Sequence, residues 1–165
     1  MVLALLLAAL NKGSYLAVFI VSFISTSSII IPIVPFGSPF TIITAVSLGL
    51  NPFLVAIMGG TGSALGELFG YLVGMGGSAA IEKFEKKTPK FLKKLERFYS
   101  NIGFWTILVF SFVPFPFDII GVLSGASKYD MKKFLIAVTI GRIIRSMLIA
   151  YGIIYAIPFV LSLST

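Results

Sequence analysis

The chain has 165 residues, of which 58% are hydrophobic and 12% charged, with a mean hydropathy of +1.05 and a net charge of +7. One domain of this length cannot hide so much apolar surface from water, so the composition predicts an integral membrane protein. Without cysteine or histidine it has no disulfides, thiolate metal sites, zinc sites or histidine proton relays, and no metal or cofactor is expected.

Taken in order, Met1 to Leu10 is apolar and is followed, not preceded, by a basic residue, Lys12. That order does not match a cleaved signal and predicts a short N-terminal helix over 1–13. A first long apolar stretch covers 14–31 and carries the patch Ser25-Thr26-Ser27-Ser28, whose hydroxyls can bond back to their own helix. The chain then breaks across Pro32, Pro35 and Pro39, around Gly37 and Ser38. Proline removes an amide donor and clashes with the preceding turn, so the helix is expected to stop. From Pro39 to Leu50 a helix reaches only ~18 Å, short of a ~30 Å hydrocarbon core. A re-entrant hairpin that turns back fits better than a crossing.

Asn51-Pro52 reads as a helix start, a capping side chain followed by proline at the first helical position. The helix from Pro52 to about Gly76 is long enough to span, and Gly62, Gly66, Gly70 and Gly74 make a stripe for close backbone approach. The segment 82–97 follows, with seven basic residues against three acidic ones. Phe91, Leu92, Leu95 and Phe98 fall at helical spacing among its lysines, the pattern of a basic amphipathic helix on a membrane surface. Its charge predicts a cytoplasmic loop, and the net charge as a whole reads as topology and not as nucleic-acid binding.

Residues 98–127 repeat the earlier phrase: Val113-Pro114-Phe115 matches Val34-Pro35-Phe36, with Pro116 and Asp118 just after it. If this run crossed once, the basic loop and Lys128, Lys132 and Lys133 would face opposite sides. If it dips in and returns, both lie in the cytoplasm, as the positive-inside rule prefers. A last spanning helix starts after Asp130 and runs to about Ala156. Phe53, Ala56 and Gly60 recur as Phe134, Ala137 and Gly141. The expected fold is an all-α membrane protein, a single domain over 1–165. In it an inverted repeat of re-entrant hairpin plus transmembrane helix (14–78 and 99–165) flanks a basic amphipathic segment over 79–98.

Four ionisable residues lie at membrane depth: Glu67, Asp118, Arg142 and Arg145. Charges there are expensive and point to function with a partner. The two arginines share one face of the last helix, and Glu67 shares a face with Ser63, Gly70, Tyr71 and Gly74. Two readings stand. The carboxylates neutralise the arginines and hold the repeats together, or an arginine meets an anionic head group with its planar fork. The tips at Pro35, Gly37, Ser38, Pro114 and Pro116 would expose backbone groups at depth. No phosphate loop, catalytic triad or metal cluster is recognisable, so no catalytic residue is assigned and an enzyme is not expected.

At these residues the sequence resembles the DedA family, also called the VTT or SNARE-associated domain family. The resemblance runs from about Ile31 to Tyr155. It rests on the first proline-rich break, on Gly62-Ser63-Ala64-Leu65-Gly66-Glu67-Leu68-Phe69-Gly70-Tyr71-Leu72-Val73-Gly74, on Phe112-Val113-Pro114-Phe115-Pro116-Phe117-Asp118, and on Gly125-Ala126-Ser127-Lys128-Tyr129-Asp130 with Gly141-Arg142. It implies two re-entrant hairpins meeting in the membrane, and lipid movement between leaflets. Many bacterial members carry acidic residues where this chain has Ser27, Ser28, Gly37 and Ser38, and arginines where it has Ser111 and Phe117. Proton coupling through the first hairpin is therefore not expected here.

The expected function is a lipid translocase of scramblase or flippase type, a multi-pass protein of the cytoplasmic membrane with loop 82–97 inside. Its partners would be phospholipids or polyprenyl phosphate, with protons and a second copy of the chain as further candidates. A proton-coupled exporter of small molecules and a non-transporting membrane scaffold are the alternatives.

Overall fold

The computed structural model describes residues 14–27, 37–85, 90–112 and 119–163. Within them every element is an α-helix: α1 (Tyr15–Ser27), α2 (Gly37–Ser47), α3 (Pro52–Glu85), α4 (Lys90–Phe112), α5 (Ile119–Ala126) and α6 (Met131–Leu163). The stretches Pro52–Ala79 of α3 and Met131–Tyr155 of α6 are long and apolar enough to cross a membrane. The expected N-terminal helix and the break residues Pro35, Pro114, Pro116 and Asp118 lie outside the described residues.

Two turns of the same construction start the long helices. After α2, Gly49 takes a left-handed φ of 85°, its N–H donating to the Val46 carbonyl while Leu50 N–H reaches Ala45. After α5, Lys128 takes φ 53°, with Lys128 N–H donating to Gly125 and Tyr129 N–H to Ser124. This paired closure satisfies the last carbonyls of a helix. Asn51 Oδ1 then accepts from the N–H groups of Phe53 and Leu54, and Asp130 Oδ1 from that of Lys133, so both expected caps form.

The caps relate the two long helices in a register that differs from the expected one. Val55 N–H donates to the Asn51 carbonyl as Phe134 N–H donates to that of Asp130, so Phe134 corresponds to the buried Val55 and not to the exposed Phe53. The shift is two residues and makes Gly62 the counterpart of Gly141. A correction concerns the basic segment, which is no separate amphipathic helix. Its first residues extend α3 to Glu85, past the expected end near Gly76, and Lys90 to Arg97 are the first turns of α4. Helical hydrogen bonding propagates across the change in polarity, because lysine and glutamate are good helix formers. The last helix, similarly, continues past Pro158 to Leu163.

Packing follows one scheme in both halves. α1 lies on α3 as α4 lies on α6; α1 touches α2 as α4 touches α5; and the short helices cross over, α5 onto α3 and α2 onto α6. Tyr15, at the start of α1, puts its hydroxyl 3.2 Å from the Asn51 amide, so the outer ends of α1 and α2 meet at the N-terminal end of α3. Tyr99, nine residues into α4, sets its ring against that of Tyr129, just beyond α5. Lys128 Nζ stands 4.0 Å from Glu96 Oε1, which joins both basic clusters at one end of the molecule. That end lies beside Tyr71, whose hydroxyl donates to the Tyr129 carbonyl at 2.5 Å. Tyr71 is about 20 residues beyond Asn51 along α3, a rise of ~30 Å.

The core forms two clusters. One joins Val18, Ile42, Ala45, Val55 and Ala150, the other Ala64, Tyr71, Tyr99, Ile107 and Phe134. Large apolar side chains such as Leu65, Phe69, Trp105, Ile136, Ile140 and Leu148 point outward instead, a surface suited to lipid.

The glycine stripe works as expected where it is described. Gly62 and Gly66 face α1 at the Phe19 and Phe23 carbonyls, and Gly74 faces α5 at that of Val122. α5 answers with Gly125, where an added Cβ would enter the Tyr71 carbonyl. Backbone cannot swing aside as a side chain can. Gly125→Ala is therefore expected to destabilise the fold by about 1–3 kcal/mol, by overpacking. Gly76→Ala, inside the same helix but with nothing within 4 Å, should hold or slightly raise the unfolding temperature in detergent; equal melting of the two variants would contradict the packing described.

Candidate functional site: a buried ion pair between the two long helices

Glu67 lies about 15 residues into α3 and Arg142 about 11 into α6, ~22 Å and ~17 Å along their axes. Both are therefore near the middle of their apolar stretches. Where α3 and α6 meet, Gly60 admits the backbone of Ile143, and this close approach brings the next turns together. Arg142 Nη2 donates to Glu67 Oε2 at 2.5 Å and Nε to the same oxygen at 3.1 Å. The residues are 2% and 3% exposed, so little water screens the pair.

The surroundings are built from small residues. Gly121 of α5 lies against the Glu67 backbone and side chain, which places the inner end of α5 at the level of the pair. Beside Arg142, Gly141 faces the Leu108 carbonyl and the Ser111 side chain of α4. On α3, Ser63 and Tyr71 flank Glu67 and are buried with it, as the expected shared face requires.

The four expected charges do not behave alike. Glu67 and Arg142 come together; Arg145, one turn beyond Arg142, is half-buried with its Nε enclosed. Asp118 lies outside the described residues. Of the hairpin-tip residues, Gly37 opens α2 and Ser38, next to it, is buried, at the inner end of the first short helix.

The sequence reading passed over other participants. The Tyr71 hydroxyl ties α3 to the turn at Tyr129, whose own phenol is pushed up by burial and by the Asp130 carboxylate and stays protonated at neutral pH. Ser22 and Ser111 are buried with their hydroxyls unpartnered among the described residues. The family resemblance singles out Ser111 only as standing in place of an arginine, and nothing in the sequence points to Ser22.

A buried charge stripped of its partner is costly, and more so than an apolar replacement of both. Arg142→Ala and Glu67→Ala are each expected to lose about 3–5 kcal/mol of stability. The double variant should lose clearly less than the sum, measured by unfolding in detergent as a double-mutant cycle. Strict additivity would show the two charges to be uncoupled.

Comparison with known proteins matches residues 31–155 to the VTT domain. An uncharacterized protein of Methanocaldococcus jannaschii is 26% identical over 159 residues, covering 94% of this chain and 90% of that protein. Two proteins of Lactococcus lactis, from subspecies lactis and cremoris and each named alkaline phosphatase-like protein, are 27% identical over 157 residues, covering 85% of this chain and 69% of theirs. No solved structure matches. Because the matched region takes in both proline breaks, the ion pair and the two long apolar helices, the chain belongs to the VTT domain family, the membrane-protein family also called DedA.

Proposed function

We propose that the protein is a lipid translocase, of scramblase or flippase type, that passes phosphate-bearing head groups between leaflets while the acyl chains stay in lipid. In this reading the two halves are inverted repeats, and α1–α2 and α4–α5 are re-entrant hairpins that enter from opposite faces. The meeting of their outer ends at points ~30 Å apart along α3 supports that arrangement. The end carrying Lys90, Lys93, Lys94, Arg97, Lys128, Lys132 and Lys133 is then cytoplasmic, in the plasma membrane.

One observation carries the proposal: an arginine pair at membrane depth in which the two members are held differently. Arg142 is committed to Glu67, which fits the structural reading of that carboxylate. Arg145 is half-buried one turn away. A guanidinium there offers a phosphate two parallel donors in a low-dielectric setting. The Glu67–Arg142 pair joins the helices, and in this reading Arg145 exchanges contacts within the protein for the head-group phosphate. Translocation needs no bond to be made or broken, in keeping with a chain that has neither histidine nor cysteine to serve as base or nucleophile.

The test is reconstitution into phosphatidylcholine liposomes with a head-group-labelled phospholipid and an impermeant quencher. Active protein should allow quenching beyond the outer-leaflet fraction. Losing a charged hydrogen bond worth about 1.5–3 kcal/mol should slow Arg145→Ala roughly tenfold or more, with Arg145→Lys in between. No added quenching by folded protein, repeated with polyprenyl phosphate and under a pH gradient, would rule the proposal out. Transport of a small cation that depends on pH would instead support an exporter.

A further inference from the structure

Hydroxyls in these helices follow one habit. Ser25, Thr26, Ser27, Thr44, Ser63, Thr106 and Ser124 each donate to the carbonyl four residues back on their own helix. This is how a membrane helix keeps a hydroxyl satisfied without water. Ser22 and Ser111 do otherwise. They are 0% and 2% exposed, their oxygens are enclosed, and neither donates to its own helix or finds another partner among the described residues.

The two serines occupy matching places. Gly62 and Gly141 each lie eleven residues after a capping residue (62 − 51 and 141 − 130). Gly62 is covered by the Phe19 carbonyl and Gly141 by that of Leu108. Ser22 and Ser111 are each three residues beyond those carbonyls. Each also borders a glycine of a long helix: Ser22 Oγ is 3.5 Å from where a Cβ on Gly59 would stand, and the Ser111 Cβ lies where a Cβ on Gly141 would press. Each serine therefore lies against a glycine of a spanning helix, with the backbone of that helix close by.

An enclosed hydroxyl that forgoes the bond its own helix offers needs another partner, and the smallest that brings both donor and acceptor is water. We infer that Ser22 Oγ and Ser111 Oγ mark two internal water sites, one in each half, on the inner faces of α1 and α4. In the sequence Ser111 stands three residues before Pro114 and Ser22 ten before Pro32. Water at both places puts one small polar site in each half of the chain, with the Glu67–Arg142 pair itself still enclosed. The inference rests on the chain being embedded in a membrane, not on its moving lipid.

The absence of native cysteine gives a direct test. Only a thiolate reacts with a methanethiosulfonate reagent, and a thiol in dry apolar surroundings stays protonated and inert. Single variants Ser22→Cys and Ser111→Cys, in nanodiscs, are compared with Val18→Cys and Ile107→Cys. The controls are one turn earlier on the same helices and 0% exposed. Both serine positions should be modified by aminoethyl methanethiosulfonate at least ten times faster than the controls. Equal rates at all four positions, or labelling at only one serine position, overturns the paired sites. Ser22→Ala and Ser111→Ala supply a second reading. Loss of a water-bound hydroxyl should lower the melting temperature, whereas removal of a dry, unpartnered one would raise it. Neither measurement requires lipid translocation, so the inference and the proposed function can fail separately.

Discussion

The ion pair between Glu67 and Arg142 is the constraint from which the rest of the interior follows. Two charges at membrane depth are tolerable only if they meet closely, and these belong to different halves of the chain, 75 positions apart. Bringing them together requires α3 and α6 to approach at backbone distance. That requirement accounts for Gly60 against Ile143, and for the small residues Ser63, Gly121 and Gly141 around the pair. Larger side chains would hold the helices apart and strand both charges.

The second organising feature is the exchange of short helices. α5 packs on the long helix of the first half and α2 on that of the second, so each half completes the other's core. A short helix of 8 or 11 residues buries too little surface to be held by the preceding helix alone. Glycine-to-carbonyl contacts such as Gly125 on Tyr71 and Gly74 on Val122 secure it by van der Waals packing, which is what remains for helix association when lipid is the solvent. The hydroxyl of Tyr71 adds a polar anchor at the outer end, where the turn at Tyr129 leaves a carbonyl to be satisfied.

Much of this was legible in the sequence because it depends on local chemistry. Asn51-Pro52 and Asp130 declared the starts of the long helices through their capping side chains. The four-residue glycine spacing announced close approach, and Glu67 at depth announced a partner. What the sequence left open was decided by tertiary geometry. Which arginine pairs with Glu67 depends on how α3 and α6 cross, and two arginines three residues apart look equivalent until that crossing is known. Residue type pairs Phe53, Ala56 and Gly60 with Phe134, Ala137 and Gly141, a register two residues away from that of the caps. The caps, in contrast, align Val55 with Phe134 by hydrogen bonding. The basic segment was read as a separate surface helix because amphipathic periodicity does not reveal whether a helix continues into an apolar one.

The distance in sequence between the partners of the ion pair also bears on how the protein is made. α3 leaves the ribosome well before α6, and at about 5–20 residues per second the 75 intervening positions take several seconds to follow. During that interval Glu67 is in the membrane, or waiting at its edge, without Arg142. The groove of glycines on α3 is equally incomplete until α5 arrives. Insertion of the last helix, closure of the ion pair and docking of α2 and α5 are thus one late event. A chain released early, or one whose final helix enters slowly, offers membrane quality control an unmatched carboxyl group and an open glycine groove.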